Sequence, residues 1–266
     1  MSTKPSTNLS VLITGASSGI GATYADRFAK RGHDLVLVAR NRERMEALAE
    51  RLRRENGVHV DILRADLTDA RDLVQVEARL REDTRIGILV NNAGMSAAGG
   101  FVDQNEDDVV GTVNLNAMAL LRLAHAVAPR FVKAGQGSII NIGSVVGLIP
   151  ESGFTVFGAT KAFVLFLSQG LQHELAPKGV YVQAVLPAAT RTEIWDHLGI
   201  DVNQLPSVME VGELVDAALA GFDRHETVTI PSLPDADQWT NFDAARKVMT
   251  PEFSQTHAAK RYRAAG

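Results

Sequence analysis

The apolar run Leu9 to Thr14 stops at Gly15-Ala16-Ser17-Ser18-Gly19-Ile20-Gly21, and a helical pattern begins directly behind those glycines. A short buried strand that turns through three glycines into a helix leaves little choice of architecture. Without side chains, the backbone of the turn can come close to a ligand. The helix N-terminus behind it offers N–H groups and positive potential, which suits a pyrophosphate. The alternation repeats down the chain. Leu35 to Ala39, Val58 to Leu63, Ile86 to Val90, Ser138 to Ile142, Val180 to Leu186 and a short Thr227 to Ile230 read as strands. Helices are expected at about 20–31, 40–55, 69–82 (capped by Thr68), 107–134 and 211–222, and another carries Phe157 and Lys161 to about Ala176.

Strands without polar alternation fit a parallel sheet covered on both faces. Strands separated by helices imply right-handed crossovers. The expected fold is α/β: a single Rossmann-type, doubly wound parallel sheet of about seven strands with helices on both faces. Residues 1–8 read as a loose tail, and 9–266 as a single domain with 188–210 as a lid. The segment after Pro231 is polar, with a helix expected over 236–248. Ligands of such sheets sit beyond the carboxyl ends of the strands. Gly15, Arg40, Asp66, Asn91, Ser144 and Pro187 are all expected just past strand ends, along one edge.

A chain of 266 residues can bury a substantial core in one domain. A net charge of −4 carries no footprint for nucleic acid. The absence of cysteine excludes disulfides and thiolate chemistry. No apolar run approaches the ~18 residues of a membrane span, and the start lacks the apolar core of a signal segment. The default expectation is a cytoplasmic enzyme with no membrane, nucleic-acid or metal partner.

Three motifs carry a more specific reading. Thr14-Gly15-x-x-x-Gly19-x-Gly21, Asn91-Asn92-Ala93-Gly94, and Ser144 followed by Phe157-x-x-x-Lys161 together resemble the short-chain dehydrogenase/reductase family over about residues 9–230. The resemblance implies cofactor contacts from Gly15, Ser17, Ser18, Gly19, Ile20 and Gly21, from Asn92, Ala93 and Gly94, and from Lys161. It also implies contacts from Asp66 and Leu67 to the adenine, although Asp66 can equally be a turn or cap residue. Pro187-Ala188-Ala189-Thr190-Arg191-Thr192 is similar to the family's Pro-Gly-x-x-x-Thr segment at the nicotinamide, with Pro187, Thr190 and Thr192 in the matching places. Ala188 replaces the glycine, and alanine resists positive φ.

Family members often carry Asp where this chain has Ala39, and Arg40 follows. A carboxylate there holds ribose hydroxyls; a guanidinium suits a 2′-phosphate. The expected cofactor is NADP(H) in preference to NAD(H). The bland alternative is that Arg40 opens a solvated run with Arg42 and Arg44.

In the family, a Tyr hydroxyl gives or takes the proton while hydride moves, a Lys lowers its pKa, a Ser holds the substrate oxygen and an Asn supports a water relay. By resemblance Ser144, Lys161 and Asn116 keep these roles, Asn116 fitting the spacing better than Asn114. The Tyr position holds Phe157, which cannot transfer a proton. A positioned acid contributes ~10²–10⁴-fold in rate. Either Phe157 is a substitution in an active reductase, leaving little activity, or it is native to a cofactor-binding pseudoenzyme or regulatory NADP-binding protein. The substrate wall is expected from Met95, Val146, Leu148, Phe154 and Trp195, an apolar set suited to an apolar or aromatic ketone or aldehyde. Each of these also fits plain core or lid packing. The long helix around Asn116 and the Lys161 helix resemble the family's subunit interface, which implies a homodimer or homotetramer.

Overall fold

A computed structural model describes residues 9–263, so the expected tail 1–8 lies outside the described residues. Seven strands form one parallel sheet: β1 Ser10–Thr14, β2 Leu35–Ala39, β3 Val60–Arg64, β4 Ile86–Asn91, β5 Gly137–Ile142, β6 Val180–Val185 and β7 Val228–Thr229. Their order is β3-β2-β1-β4-β5-β6-β7. Leu12 of β1 lies beside Val36 of β2 and Leu89 of β4. The winding reverses between β1 and β4, the crevice where such sheets take ligands.

The two faces are covered because successive side chains of each strand point to opposite sides. Val11 and Ile13 pack with Tyr24 and Phe28 of α1 (Gly19–Lys30), Met45 and Leu52 of α2 (Arg42–Asn56), and Leu214 and Leu219 of α8 (Val211–Asp223). Leu12 joins the opposite layer, with Leu73 and Leu80 of α3 (Ala70–Glu82), Leu123 and Phe131 of α5 (Leu120–Ala134), and Leu175 of α6 (Thr155–Leu175). The doubly wound sheet read from the sequence is the fold of the chain.

Local differences have identifiable causes. Asp69, not Thr68, caps α3: its Oδ1 accepts from the backbone of Arg71 at 2.8 Å, while Thr68 donates its hydroxyl to Asp66 at 2.7 Å. Asn91 is the last residue of β4 rather than a loop residue. The single helix expected over 107–134 is three pieces: α4 Glu106–Val113, a wider π-helical turn Asn114–Ala119, and α5. Such turns bulge the helix by one residue and recur at functional sites; here the bulge contains Asn116.

The described residues fall into two compact units, divided between Pro231 and Ser232. The first holds the sheet. In the second, α9 (Ala236–Val248, with α7 at Ile194–His197 in the first unit) is capped by Asp235 and buries no residue. Its aromatic contact is Trp239 against Phe242, 5.5 Å between ring centres. Among the described residues no helix is long and apolar enough to cross a membrane.

Candidate active site

The glycine turn is built around close approach. Gly15 and Gly19 adopt φ of 64° and 51°, in the left-handed region. A Cβ on Gly15 would lie 2.8 Å from Asn92 Nδ2, and one on Gly21 would strike the carbonyl oxygen of Gly15. Ser18 precedes α1 in extended conformation with no side-chain cap, and the first turn carries no acidic residue. The N-terminus of α1 therefore keeps its donors and positive potential for a ligand. Ser17 and Ile20 are half-buried in the same turn.

Thr14 and Asn92 lock this turn to the end of β4. Thr14 Oγ1 accepts from the backbone N–H of Asn92 at 2.9 Å and of Ala93 at 3.0 Å. Asn92 Nδ2 donates to Thr14 O at 2.9 Å and Gly15 O at 3.3 Å. Both sides of the switch-point crevice are thus held by one short network.

Arg40 stands exposed just past β2. Asp66, past β3, spends its Oδ1 on the backbone and hydroxyl of Thr68, at 3.0 and 2.7 Å. Burial raises its pKa, but those hydrogen bonds and the charges of Arg40 and Arg64 outweigh it and hold the carboxyl below its ordinary value. The turn role weighed for Asp66 is thus present in the structure. Leu67 beside it is buried.

Asn116, Gly94 and Lys161 meet in one small volume. A Cβ on Gly94 would lie 3.2 Å from Asn116 Oδ1 and 3.6 Å from Lys161 Nζ. Asn116 clamps Met95 from both sides, accepting from its N–H at 2.9 Å and donating to its carbonyl at 2.8 Å. Its Nδ2 also reaches Thr160 Oγ1 at 3.1 Å, and Thr160 donates to Phe157 O at 2.7 Å. Asn116 is buried, whereas Asn114 is exposed. Thr160 was not anticipated from sequence, although it immediately precedes Lys161.

Lys161 is 5% exposed and donates to Ile142 O at 2.9 Å. Burial pushes its pKa down to about 8. Its Nζ lies 5.3 Å from the ring centroid of Phe157, which meets Phe154 edge-on at 6.3 Å. Ser144 follows β5 and caps the short helical turn Val145–Leu148, which contains Val146 and Leu148. Its Oγ donates to Pro187 O at 3.1 Å and accepts from Val146 N at 3.3 Å. Gly147 brings that turn onto α6: a Cβ there would lie 2.7 Å from Ala162 N.

The segment 188–210 is internally tied. Arg191 N donates to Met209 O and Met209 N to Ala189 O, both at 2.9 Å. Buried Thr190 donates to Ala188 O at 2.9 Å, and Trp195 Nε1 donates to Thr190 O at 2.7 Å. Thr192 Oγ1 reaches Thr190 O at 3.4 Å, and its Cγ2 lies 3.2 Å from where a Gly19 Cβ would be. Among the described residues only His225 of the non-glycines has positive φ, so Ala188 sits without that strain. Arg191 is paired with Glu210 at 2.8 Å and with Asn203 at 2.9 Å. A depression nearby is lined by Ala97, Ala98, Gly99, Gly100, Ser152, Gly153, Phe154, Leu198 and Ile200. Of the expected substrate wall, Phe154 lines it; Met95, Val146, Leu148 and Trp195 do not.

The glycine cradle, the uncapped α1 and the exposed guanidinium beyond β2 together suit a phosphorylated dinucleotide laid across β2, β1 and β4. Among the described residues no group of His, Cys, Asp or Glu is placed to hold a metal.

Known proteins bear on this geometry. The family model described as short chain dehydrogenase matches residues 10–203. A short-chain dehydrogenase from Sphingobium yanoikuyae, solved in complex with NADPH, is 65% identical with a TM-score of 0.95, covering 96% of this chain and 100% of that one. The bulky-bulky ketone specific alcohol dehydrogenase from Comamonas testosteroni is 61% identical with a TM-score of 0.90, covering 96% of this chain and 98% of that one. The human inactive hydroxysteroid dehydrogenase-like protein 1 is 32% identical over 185 residues, 69% of this chain and 56% of that protein. The chain spans about three-fifths of the length of the curated relatives it matches.

Proposed function

The chain belongs to the short-chain dehydrogenase family, and from that premise we propose that it is an NADP(H)-dependent carbonyl reductase and alcohol dehydrogenase for bulky apolar or aromatic ketones and aldehydes, held at low activity by Phe157. The observation that carries this reading is that Asn116 Oδ1 and Lys161 Nζ both border Gly94, 3.2 and 3.6 Å from where its Cβ would lie, with Lys161 beside the Phe157 ring. Arg40 and the NADPH complex of the Sphingobium relative support the cofactor. The Comamonas relative supports the substrate class.

When bound, NADP(H) exchanges a hydride with the carbon that bears the substrate oxygen. Gly15, Gly19 and Gly21 leave room for its pyrophosphate at the start of α1, and Arg40 offers two charge-assisted donors to its 2′-phosphate. Ser144 Oγ can release Pro187 O and turn to the substrate oxygen. Lys161 supplies positive charge and a donor beside the ring of residue 157. Asn116 keeps Met95 and Thr160 in place around it. Phe157 offers no proton, so the step that a tyrosine hydroxyl would serve lacks its acid, at a cost of ~3–5 kcal/mol of barrier. Residues 188–210 act as the lid.

A second reading has its own support. The human relative is named inactive, and a native Phe157 would make this chain a cofactor-binding protein without the reaction. The two readings part in one assay: NADPH oxidation over a ketone panel by the chain and by its Phe157→Tyr form. Activity that appears with Tyr supports the reductase, and silence in both with cofactor still bound supports the binding protein.

The assembly we propose is a homodimer or homotetramer. Val110 and Val113 of α4, Met118 of the π turn, and Phe163 and Phe166 of α6 are all exposed, and Phe166 is 76% so. Large apolar side chains at this density mark a surface that another subunit covers.

A further inference from the structure

The loop after β6 reaches back over the sheet. Thr192 packs against the glycine turn at Gly19, and the next residue, Glu193, ends on the first turns of α2. Arg44 Nη1 donates to both carboxylate oxygens of Glu193, at 2.7 and 2.9 Å. α2 follows β2, so this contact passes across the ends of β5, β4 and β1. Those are the strand ends that bound the groove described above. The pair joins residues 149 apart in the chain, the lid on one side and the wall beside Arg40 on the other. Both side chains are about half exposed, at 51% and 47%. Arg42 and Arg44 therefore differ: Arg42 is held by Glu46 of its own helix, while Arg44 is held by the lid.

We propose that the Arg44–Glu193 ion pair is a strap that holds the lid over the bound dinucleotide and sets how fast the cofactor leaves. This rests on the reading that the groove takes NADP(H). Arg44 and Glu193 are positioning residues and touch no reacting atom. An exposed pair of this kind is modest in strength and weakened by salt, which suits a strap that must open in every cycle. It acts on the lid and not on the 2′-phosphate, so it slows the release of NADPH and NADH alike.

The test is the dissociation rate of NADPH and of NADH, followed by stopped-flow fluorescence, from the unsubstituted chain, Glu193→Gln, Arg44→Gln and the charge-swapped pair Arg44→Glu with Glu193→Arg. Each single substitution is expected to speed the release of both cofactors about three- to fivefold at low salt. The swap is expected to restore slow release, and high salt to erase the differences. Unchanged rates in Glu193→Gln would overturn the strap. So would slower release of NADPH alone in that variant, because Arg44 would then be a phosphate ligand that Glu193 masks. If the unsubstituted chain binds neither cofactor, the reading of the groove and the strap that rests on it fall together; binding with unaltered release removes the strap only.

Discussion

Lys161 points its ammonium at an aromatic face, 5.3 Å from the centre of the Phe157 ring, and spends a hydrogen bond on the carbonyl of Ile142. Among the described residues no carboxylate offsets its burial, and desolvation pushes its pKa down to about 8. The ring it faces carries no hydroxyl.

That burial has a pH signature. The native pKa of about 8 lies below the ordinary 10.5, so between these values the unfolded chain holds a proton that the native chain has released. Stability from this group therefore rises with pH across that window and is lowest below pH 8. The shift corresponds to about 3 kcal/mol, as an order of magnitude. Urea unfolding at pH 7 and pH 10, without added cofactor, should show the chain gaining stability relative to Lys161→Met as pH rises. An equal difference at both pH values would contradict it.

Asn116→Ala should cost about 1–3 kcal/mol, because it removes the side-chain partner of the N–H and carbonyl of Met95 and the donor to the Thr160 hydroxyl, which keeps only its bond to Phe157 O. Asn114→Ala, on the exposed side of the same π turn, should stay within about 0.5 kcal/mol. Thermal unfolding of the two variants measures this directly.

Arg40→Ala should weaken NADPH binding by about 1.5–3 kcal/mol, the loss of hydrogen bonds to a charged partner. NADH binding should hardly move. Calorimetric titration with both cofactors separates this from a solvated surface role, in which both affinities would stay the same.

Gly15→Ala places a Cβ 2.8 Å from Asn92 Nδ2 at a residue with φ of 64°. The strain is about 1–3 kcal/mol, and either the turn or Asn92 must shift. The expected result is a loss of NADPH affinity of about tenfold or more, measured by the same titration.

The sheet was legible because most strands are short apolar runs rich in Val, Ile and Leu, and their length and flanking turn residues separate them from the longer amphipathic helices between. The helix Ala236–Val248 was legible to the residue because Asp235 caps it. The π turn was not, since Asn114 to Ala119 has no local feature distinguishing it from helix; the contacts of Asn116 with Met95 and Thr160 belong to the tertiary structure. The same limit hid the Arg44–Glu193 pair, where each residue alone is an ordinary surface charge. Asp69 displaced Thr68 as cap because Thr68 is engaged by Asp66, a choice between two adjacent cap formers that composition does not decide.

The most direct measurement compares this chain with Phe157→Tyr in steady-state NADPH oxidation over bulky aromatic and aliphatic ketones. A gain of ~10²-fold or more on Tyr is the predicted result, since Lys161 Nζ already lies 5.3 Å from the centre of the ring that would carry the hydroxyl. No gain, with NADPH bound equally by both forms, would contradict the reductase and leave a cofactor-binding protein in its place.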